Sequence, residues 1–429
     1  VRRAEADTIF ALASGAGRAA VAVVRISGPA SLTVLGALCR PPPPRRAGLR
    51  RLRGADGQVL DRALVLAMPG PGSYTGEDCA ELHLHGGRAV VEAVAAALVA
   101  HGMRPAEPGE FTRRAFLNGR MDLTEAEGIA DLIDAETEAQ RRQAQRQTDG
   151  ALGRLLAGWA DRLRVLLAEH EALIDFPDED LPPEVEARAT GAIAALATEM
   201  AGHLDDGRGG ERLREGLVFV VAGAPNVGKS SLVNALAERD VAIVSPLAGT
   251  TRDTLESRVV LGGVPVTLVD TAGLRVAADA IEAEGVRRAL ARAASADLVL
   301  TVVVAGDTAT VAADGLTIAS KSDLGGAVPA GAIGVSAATG AGLNGLRDRL
   351  GAAARALTER AGPAPLTRAR HRAALTEAAE RLAGARDAEW PELRAEDLRL
   401  ALRAIGRITG HVGVEDVLDT LFSQFCIGK

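Results

Sequence analysis

Six consecutive apolar residues, Leu217-Val218-Phe219-Val220-Val221-Ala222, run straight into Gly223-Ala224-Pro225-Asn226-Val227-Gly228-Lys229-Ser230. A buried strand, a glycine-rich turn and a helix beginning near Ser230 form one supersecondary unit, which commits this part of the chain to an α/β fold. The spacing is that of a phosphate-binding loop. Its glycines let backbone N–H groups converge on phosphate oxygens, and the helix N-terminus adds the positive end of its dipole. Lys229 places a charge on the β- and γ-phosphates, Ser230 offers a hydroxyl to Mg²⁺, and Val227, Gly228 and Ser231 complete the cradle.

Three further segments follow in the order and at the spacing found in Ras-like GTPases. Gly249-Thr250-Thr251-Arg252-Asp253 resembles the first switch, with Thr251 placed to contact Mg²⁺ and the γ-phosphate. The strand Val266–Val269 ends in Asp270-Thr271-Ala272-Gly273, where Asp270 holds Mg²⁺ through water and Gly273 offers its N–H to the γ-phosphate. Ser320-Lys321-Ser322-Asp323 stands where such proteins carry Asn-Lys-x-Asp. Asp323 keeps the charge-assisted bonds that select guanine, so the expectation is a GTP preference with weakened affinity. Ser336-Ala337, after the strand-like Ala332–Val335, resembles the last base-contacting loop. Two departures stand out. Between the strands Leu298–Val304 and Leu316–Ala319 there is room for only about two helical turns. Position 274 is leucine rather than the water-orienting glutamine of Ras.

A chain of 429 residues exceeds one core and implies two to four domains. The expected boundaries are 1–118 (α+β), 119–210 (helical, first part), 211–360 (an inserted Ras-like α/β domain) and 361–429 (helical, second part). Short β-rich runs such as Ala20–Ile26 alternate with helical ones such as Val90–Val99 in the first segment. Leu152, Leu155, Leu156, Trp159, Leu163, Leu166 and Leu167 then form an apolar stripe of helical period. The acidic, proline-containing stretch Asp175–Pro183 breaks that helix, and Gly207–Gly210 reads as a linker. Helical periodicity returns in Leu375–Ala385 and Leu398–Ile408. With a net charge of −7 the whole chain lacks the basic signature of a protein that grips nucleic acid unaided, so RNA contact must be local or shared with a partner. Arg40–Arg53, with four consecutive prolines and six arginines, reads as an extended exposed loop, either merely solvated or a local phosphate-contacting patch. No run of eighteen apolar residues occurs and the first residues lack a hydrophobic stretch, so no membrane insertion and a cytoplasmic location are expected.

Short motifs in a fixed order make the chain closely similar to the MnmE family of tRNA-modification GTPases over nearly its whole length. They are Arg25-Ile26-Ser27-Gly28-Pro29, Ser73-Tyr74-Thr75-Gly76-Glu77-Asp78, His85-Gly86-Gly87, Pro108-Gly109-Glu110-Phe111-Thr112, Arg114–Arg120 and the final Phe425-Cys426-Ile427-Gly428-Lys429. The resemblance implies that Glu282 orients the attacking water. It also implies a K⁺ ion in place of an arginine finger, held by Asn226, Ser245, the Leu247 carbonyl and the Thr250 region, with paired G domains closing around it. It further implies an N-terminal domain that dimerises and binds 5-formyl-tetrahydrofolate or a related folate through Arg25, Glu81, Arg120 and Lys429. Working with an FAD- and NADH-dependent partner of the MnmG (GidA) type, such a homodimer adds an aminomethyl or carboxymethylaminomethyl group at C5 of the wobble uridine of certain tRNAs. Arg120 replaces a family lysine, and Ser14-Gly15-Ala16-Gly17 stands where the family has Thr-Pro-Pro-Gly.

Cysteines occur at 39, 79 and 426, an odd number without metal-ligand spacing. Cys426 reads either as a nucleophile or as a small buried hydrophobe beside Phe425. His83 and His85 alternate along a strand with no third ligand in sight and read as structural. Two rival functions stay open: a ribosome-assembly or signalling GTPase without modification chemistry, and a folate-dependent one-carbon transferase that GTP merely regulates.

Overall fold

Along β2 (Ala19–Ser27) the side chains alternate. Ala22, Val24 and Ile26 are buried, while Arg25 on the other face is half-buried. This alternation builds a six-stranded sheet with β1 (Ile9–Leu12), β3 (Gly48–Arg53), β4 (Val59–Met68), β5 (Cys79–Gly86) and β6 (Arg104–Pro105), in the order β3-β4-β5-β2-β1-β6. Neighbours are antiparallel except β1 and β6. One face packs on α1 (Ser31–Leu38) and α2 (Arg88–Ala100), whose Leu35, Leu38, Val94 and Leu98 meet Val24, Ile26, Val65 and Leu82. That is the α+β segment the sequence implies. Beyond α3 (Glu110–Leu117), Leu123 and Ala126 of α4 (Leu123–Asp134) pack with Leu418, Leu421 and Phe422 of α13 (Glu415–Ser423) and with Phe425.

The computed structural model describes residues 7–15, 17–175, 183–238, 256–270, 296–307, 315–412, 415–423, 425, 427 and 428. Expectations for Ser245, Leu247, Gly249, Thr250, Thr251, Thr271, Ala272, Gly273, Glu282, Cys426 and Lys429 lie outside the described residues, as does the segment 308–314. The chain divides into two units, residues 1–130 with 406–429, and residues 131–405.

In the second unit, α5 (Glu138–Thr148), α6 (Ala151–Asp175), α7 (Pro183–Leu204) and α8 (Gly209–Glu215) lead into a second sheet. On α6 the stripe of Leu152, Leu156, Trp159, Leu163 and Leu166 is buried. Trp159 Nε1 donates to Glu199 Oε1 of α7 at 2.8 Å. The sheet comprises β7 (Leu217–Gly223), β8 (Glu256–Leu261), β9 (Val264–Asp270), β10 (Leu298–Val304), β11 (Leu316–Ser320) and β12 (Ile333–Gly334), ordered β12-β11-β10-β7-β9-β8. Only β8 runs antiparallel to its neighbour. β7 and β9 are almost continuously apolar because parallel strands are covered on both faces. α9 (Lys229–Ala237) and α10 (Leu343–Thr358) supply Leu232, Leu236, Leu346 and Leu350 to that core. The helices α11 (Ala369–Asp387) and α12 (Pro391–Thr409) follow.

Where the chain enters and leaves this sheet, side chains of α4, α5 and α11 fasten it. Asp131 accepts from Arg214 Nε at 2.9 Å and from Arg368 Nη2 at 3.0 Å. Arg372 reaches Glu211 and Asp206, each at 2.6 Å, and Gln143 Nε2 donates to Gly210 O at 2.9 Å. Burial would raise the Glu211 carboxyl, but the Arg372 and Arg208 guanidiniums hold it below its ordinary range.

Two local expectations need correction. Gly48–Arg53 is not loop but the edge strand β3, because Leu52 inserts into the sheet core while edge strands tolerate the arginines around it. Gly207–Gly210, read as a linker, is in part helix. Gly209 and Gly210 open α8, and a Cβ on Gly210 would lie 2.5 Å from Leu366 O, so glycine serves close approach.

Candidate functional site

β7 lies between β10 and β9, so the chain leaves its C-terminal end where the sheet's connections diverge, the place where open α/β sheets form a crevice. Gly223 ends β7 at φ +153° and Gly228, at φ +98°, caps α9. A Cβ on Gly223 would sit 2.4 Å from Val302 O, so the loop can lie against β10 only with glycine there. Asn226 adopts φ +63°, a left-handed conformation that asparagine tolerates better than most residues. Lys229 opens α9, is 4% exposed, and its Nζ donates to Gly223 O at 3.0 Å and Ala224 O at 2.8 Å. Its ammonium is thereby turned back into the loop it must serve.

Ser230 Oγ donates to Asp270 Oδ2, joining the first turn of α9 to the end of β9. Asp270 is 4% exposed. A hydroxyl and a carboxylate brought together at adjacent strand ends form the hard-oxygen pair that suits Mg²⁺. Across the loop, Ser320 is buried at the end of β11. Its Oγ lies 2.5 Å from Val227 O and 3.0 Å from Val303 O, two acceptors that its single proton serves in turn. Lys321, at φ +54°, donates from Nζ to Asn226 O at 2.9 Å. Ser322 N donates to Val335 O at 3.1 Å, and Asp323 stands exposed in the following turn. Buried Ser336 accepts Thr339 N on its Oγ at 3.1 Å and donates its own N–H to Ala341 O at 2.9 Å, with Ala337 beside it. Gly223, Asn226–Ser231, Asp270, Ser320–Asp323 and Ser336–Ala337 thus gather around the C-terminal ends of β7, β9, β11 and β12. Since Ser320 ties the base-side loop to the phosphate loop, Ser320→Ala should weaken guanine-nucleotide binding roughly three- to tenfold by loosening it. Titration with a fluorescent GDP analogue checks this, and unchanged affinity would deny the tie any role.

In the first unit, Arg25 and Glu81 are register partners on β2 and β5. Arg25 Nε donates to Glu81 Oε1 at 3.0 Å, with both side chains half-buried. The Arg25 guanidinium lies 5.2 Å from the Tyr74 ring centroid and 5.8 Å from that of Phe111. Tyr74 Oη lies 2.8 Å from Thr112 Oγ1, and burial pushes its phenol pKa up. Arg120 runs its stem along Gly76 in the same turn, so that a Cβ there would meet Cγ and Cδ at 3.2 Å. Tyr74 and Phe111 as the rings beside Arg25 were not singled out from the sequence. Arg25 was, yet only the register of β2 against β5 sets the pair over those rings. His85 Nδ1 lies 2.7 Å from Asp61, whereas the buried Nε2 of His83 lies 3.4 Å from Glu81 without a hydrogen bond.

A family model described as MnmE helical domain matches residues 123–426, and one described as GTP-binding protein TrmE N-terminus matches residues 8–120. The tRNA modification GTPase MnmE of Gluconacetobacter diazotrophicus is 63% identical over 430 residues, covering 98% of each chain. That of Granulibacter bethesdensis is 59% identical over 438 residues, covering 99% of each. A solved FeoB G-domain from Methanococcus jannaschii matches 32% of this chain and 98% of its own at 22% identity and a TM-score of 0.23, a likeness that carries no weight here. Identity of this order along the full length, together with both family models, places the chain in the MnmE family of tRNA modification GTPases.

Proposed function

We propose that the chain hydrolyses GTP in a K⁺-stimulated, Mg²⁺-dependent cycle and that this cycle drives modification of the wobble uridine of certain tRNAs. The observation that carries the reading is the convergence of Lys229, Ser230, Asp270 and the Ser320–Lys321 pair on one loop. In this reading Lys229 neutralises the β- and γ-phosphates, and the N–H groups of Gly223–Ser231 hold their oxygens. Ser230 and Thr251 hold Mg²⁺, with Asp270 behind a water. Bound there, Mg²⁺ would supply positive charge to the phosphate oxygens. Asp323 selects guanine, with Ser320, Lys321, Ser336 and Ala337 shaping its slot, while Gly249, Thr250, Thr271, Ala272 and Gly273 close over the γ-phosphate.

The carboxamide of Asn226, beside the phosphate loop, is the kind of neutral oxygen donor K⁺ takes, with Ser245, Leu247 and Thr250 as its companions. Glu282 orients the attacking water. Arg25 and Glu81 offer the donor and acceptor groups that a pterin needs, and Arg120 and Lys429 suit the acidic tail of the folate. Cys426 is a candidate nucleophile in the transfer. The same proposal includes the four-segment division at 118, 210 and 360, a homodimer, an FAD- and NADH-dependent partner of the MnmG type, and a cytoplasmic location. Among the described residues no helix is long and apolar enough to cross a membrane.

Nucleoside analysis of tRNA from cells lacking the chain tests the reading. The C5 substituent of the wobble uridine should vanish and return with the wild-type chain but not with Glu282→Ala. An unchanged nucleoside profile would favour the signalling-switch alternative.

A further inference from the structure

The arginines of the proline-rich segment remain without a task. Leu52 faces the core under α1 and α2, so Arg51 and Arg53 on β3 point to the opposite face of the sheet. Arg51 is the register partner of Arg62 on β4. Like charges directly opposite on an antiparallel pair destabilise it. Arg40, Arg45 and Arg46 stand in the segment leading to β3, and all six of these arginines are exposed.

Their partners are mostly neutral. Arg45 Nη2 donates to Gly72 O at 2.5 Å and Arg53 Nη1 to Gly57 O at 2.7 Å, while the half-buried Arg50 donates from Nε to Arg40 O at 2.7 Å. Carbonyls fix a guanidinium without cancelling its charge. Among the described residues no carboxylate pairs with Arg40, Arg46, Arg51 or Arg62. The adjacent Asp61 is turned to His85, whose Nδ1 lies 2.7 Å away. Pro41–Pro43 wall a groove with Arg40 and Arg50, and consecutive prolines stiffen the segment that displays the charges.

Charged residues on an edge strand also prevent sheets from pairing edge to edge. That explanation serves Arg51 and Arg53 but not Arg62, which lies on an interior strand, nor the arginines before β3. Residues 40–66 include no aromatic side chain, which removes base stacking as a mode of contact. Planar guanidiniums match phosphate oxygens in pairs. We infer that the arginine-bearing edge formed by β3, β4 and residues 40–46 binds the phosphate backbone of RNA through charge, independently of sequence. The inference rests on the reading of tRNA as substrate and gives an otherwise acidic chain its local RNA contact.

Anisotropy of a labelled tRNA transcript with the full chain, between about 50 and 200 mM salt, tests it. Arg51→Ala/Arg62→Ala should flatten the plot of log binding constant against log salt by about 1 per arginine removed, with GTP hydrolysis unchanged. Arg141→Ala/Arg142→Ala removes the same charge from arginines already paired with Glu138 and should leave the slope alone. Equal slopes for the β3–β4 variant and the wild type would overturn the assignment while sparing the tRNA reading. Absence of any tRNA binding by the wild type would overturn both. A lower mass by light scattering in the variant would make the edge a contact between copies. Loss of binding only to phosphatidylserine vesicles would make it a membrane contact. Either of these results also overturns the RNA assignment.

Discussion

Replacing Lys229 by alanine lowers kcat for GTP hydrolysis by about 10²–10³, the cost of removing one preorganised charge from a developing anion. Lys229 is 4% exposed and opens α9, so its ammonium acts together with the helix dipole. Its present acceptors are the carbonyls of exposed Gly223 and Ala224, which water can satisfy once the side chain is cut back. The fold therefore survives while the chemistry does not. Phosphate release read alongside thermal unfolding separates the two, and a variant within tenfold of wild-type kcat would remove Lys229 from its role.

Arg114→Met should destabilise the N-terminal unit by about 3 kcal/mol, the lower end of the range for breaking a buried ion pair from one side. Its side chain is 4% exposed and reaches Asp7 at 2.6 Å, Glu110 at 2.9 Å and Glu77 at 3.3 Å. The loss stays near the lower end because Arg104 still faces Glu110 and Asp7. Arg114→Met/Glu77→Gln should recover part of it, since one carboxylate is then no longer stranded. The same cluster gives the unit an acid limit. Burial raises the carboxyls of Asp7 and Glu110, but the guanidiniums of Arg104 and Arg114 outweigh it and hold both below their ordinary pKa. A carboxylate depressed by folding stabilises fully above its unfolded pKa, and this contribution is lost as pH falls through the folded value. Urea midpoints should therefore drop below about pH 4, more steeply in the wild type than in Arg114→Met. Parallel pH profiles would contradict the cluster.

What could be read from the sequence was local. The run Leu217–Ala222 announced β7, the loop after it announced the phosphate cradle, and the stripe on α6 announced its buried face, because each signal lies within a few turns of chain. Asp131, which binds Arg214 and Arg368 at once, gave no such signal, since its partners are distant in sequence and meet it only in the folded chain. Tyr74 and Phe111 were visible as parts of motifs, but which cation they flank depends on the register of β2 against β5. The edge strand β3 was hidden for another reason. Four prolines and a dense run of arginines argue for loop, and only the burial of Leu52 overrides them.

The most direct test of the account is GTP hydrolysis by the purified chain in KCl against NaCl at equal ionic strength, with ATP as competitor. The account predicts strong stimulation by K⁺ and little inhibition by ATP, reflecting an oxygen site at Asn226 and guanine selection by Asp323. Equal rates in the two salts would contradict the K⁺ cycle, and ATP competing as well as GTP would contradict the guanine slot.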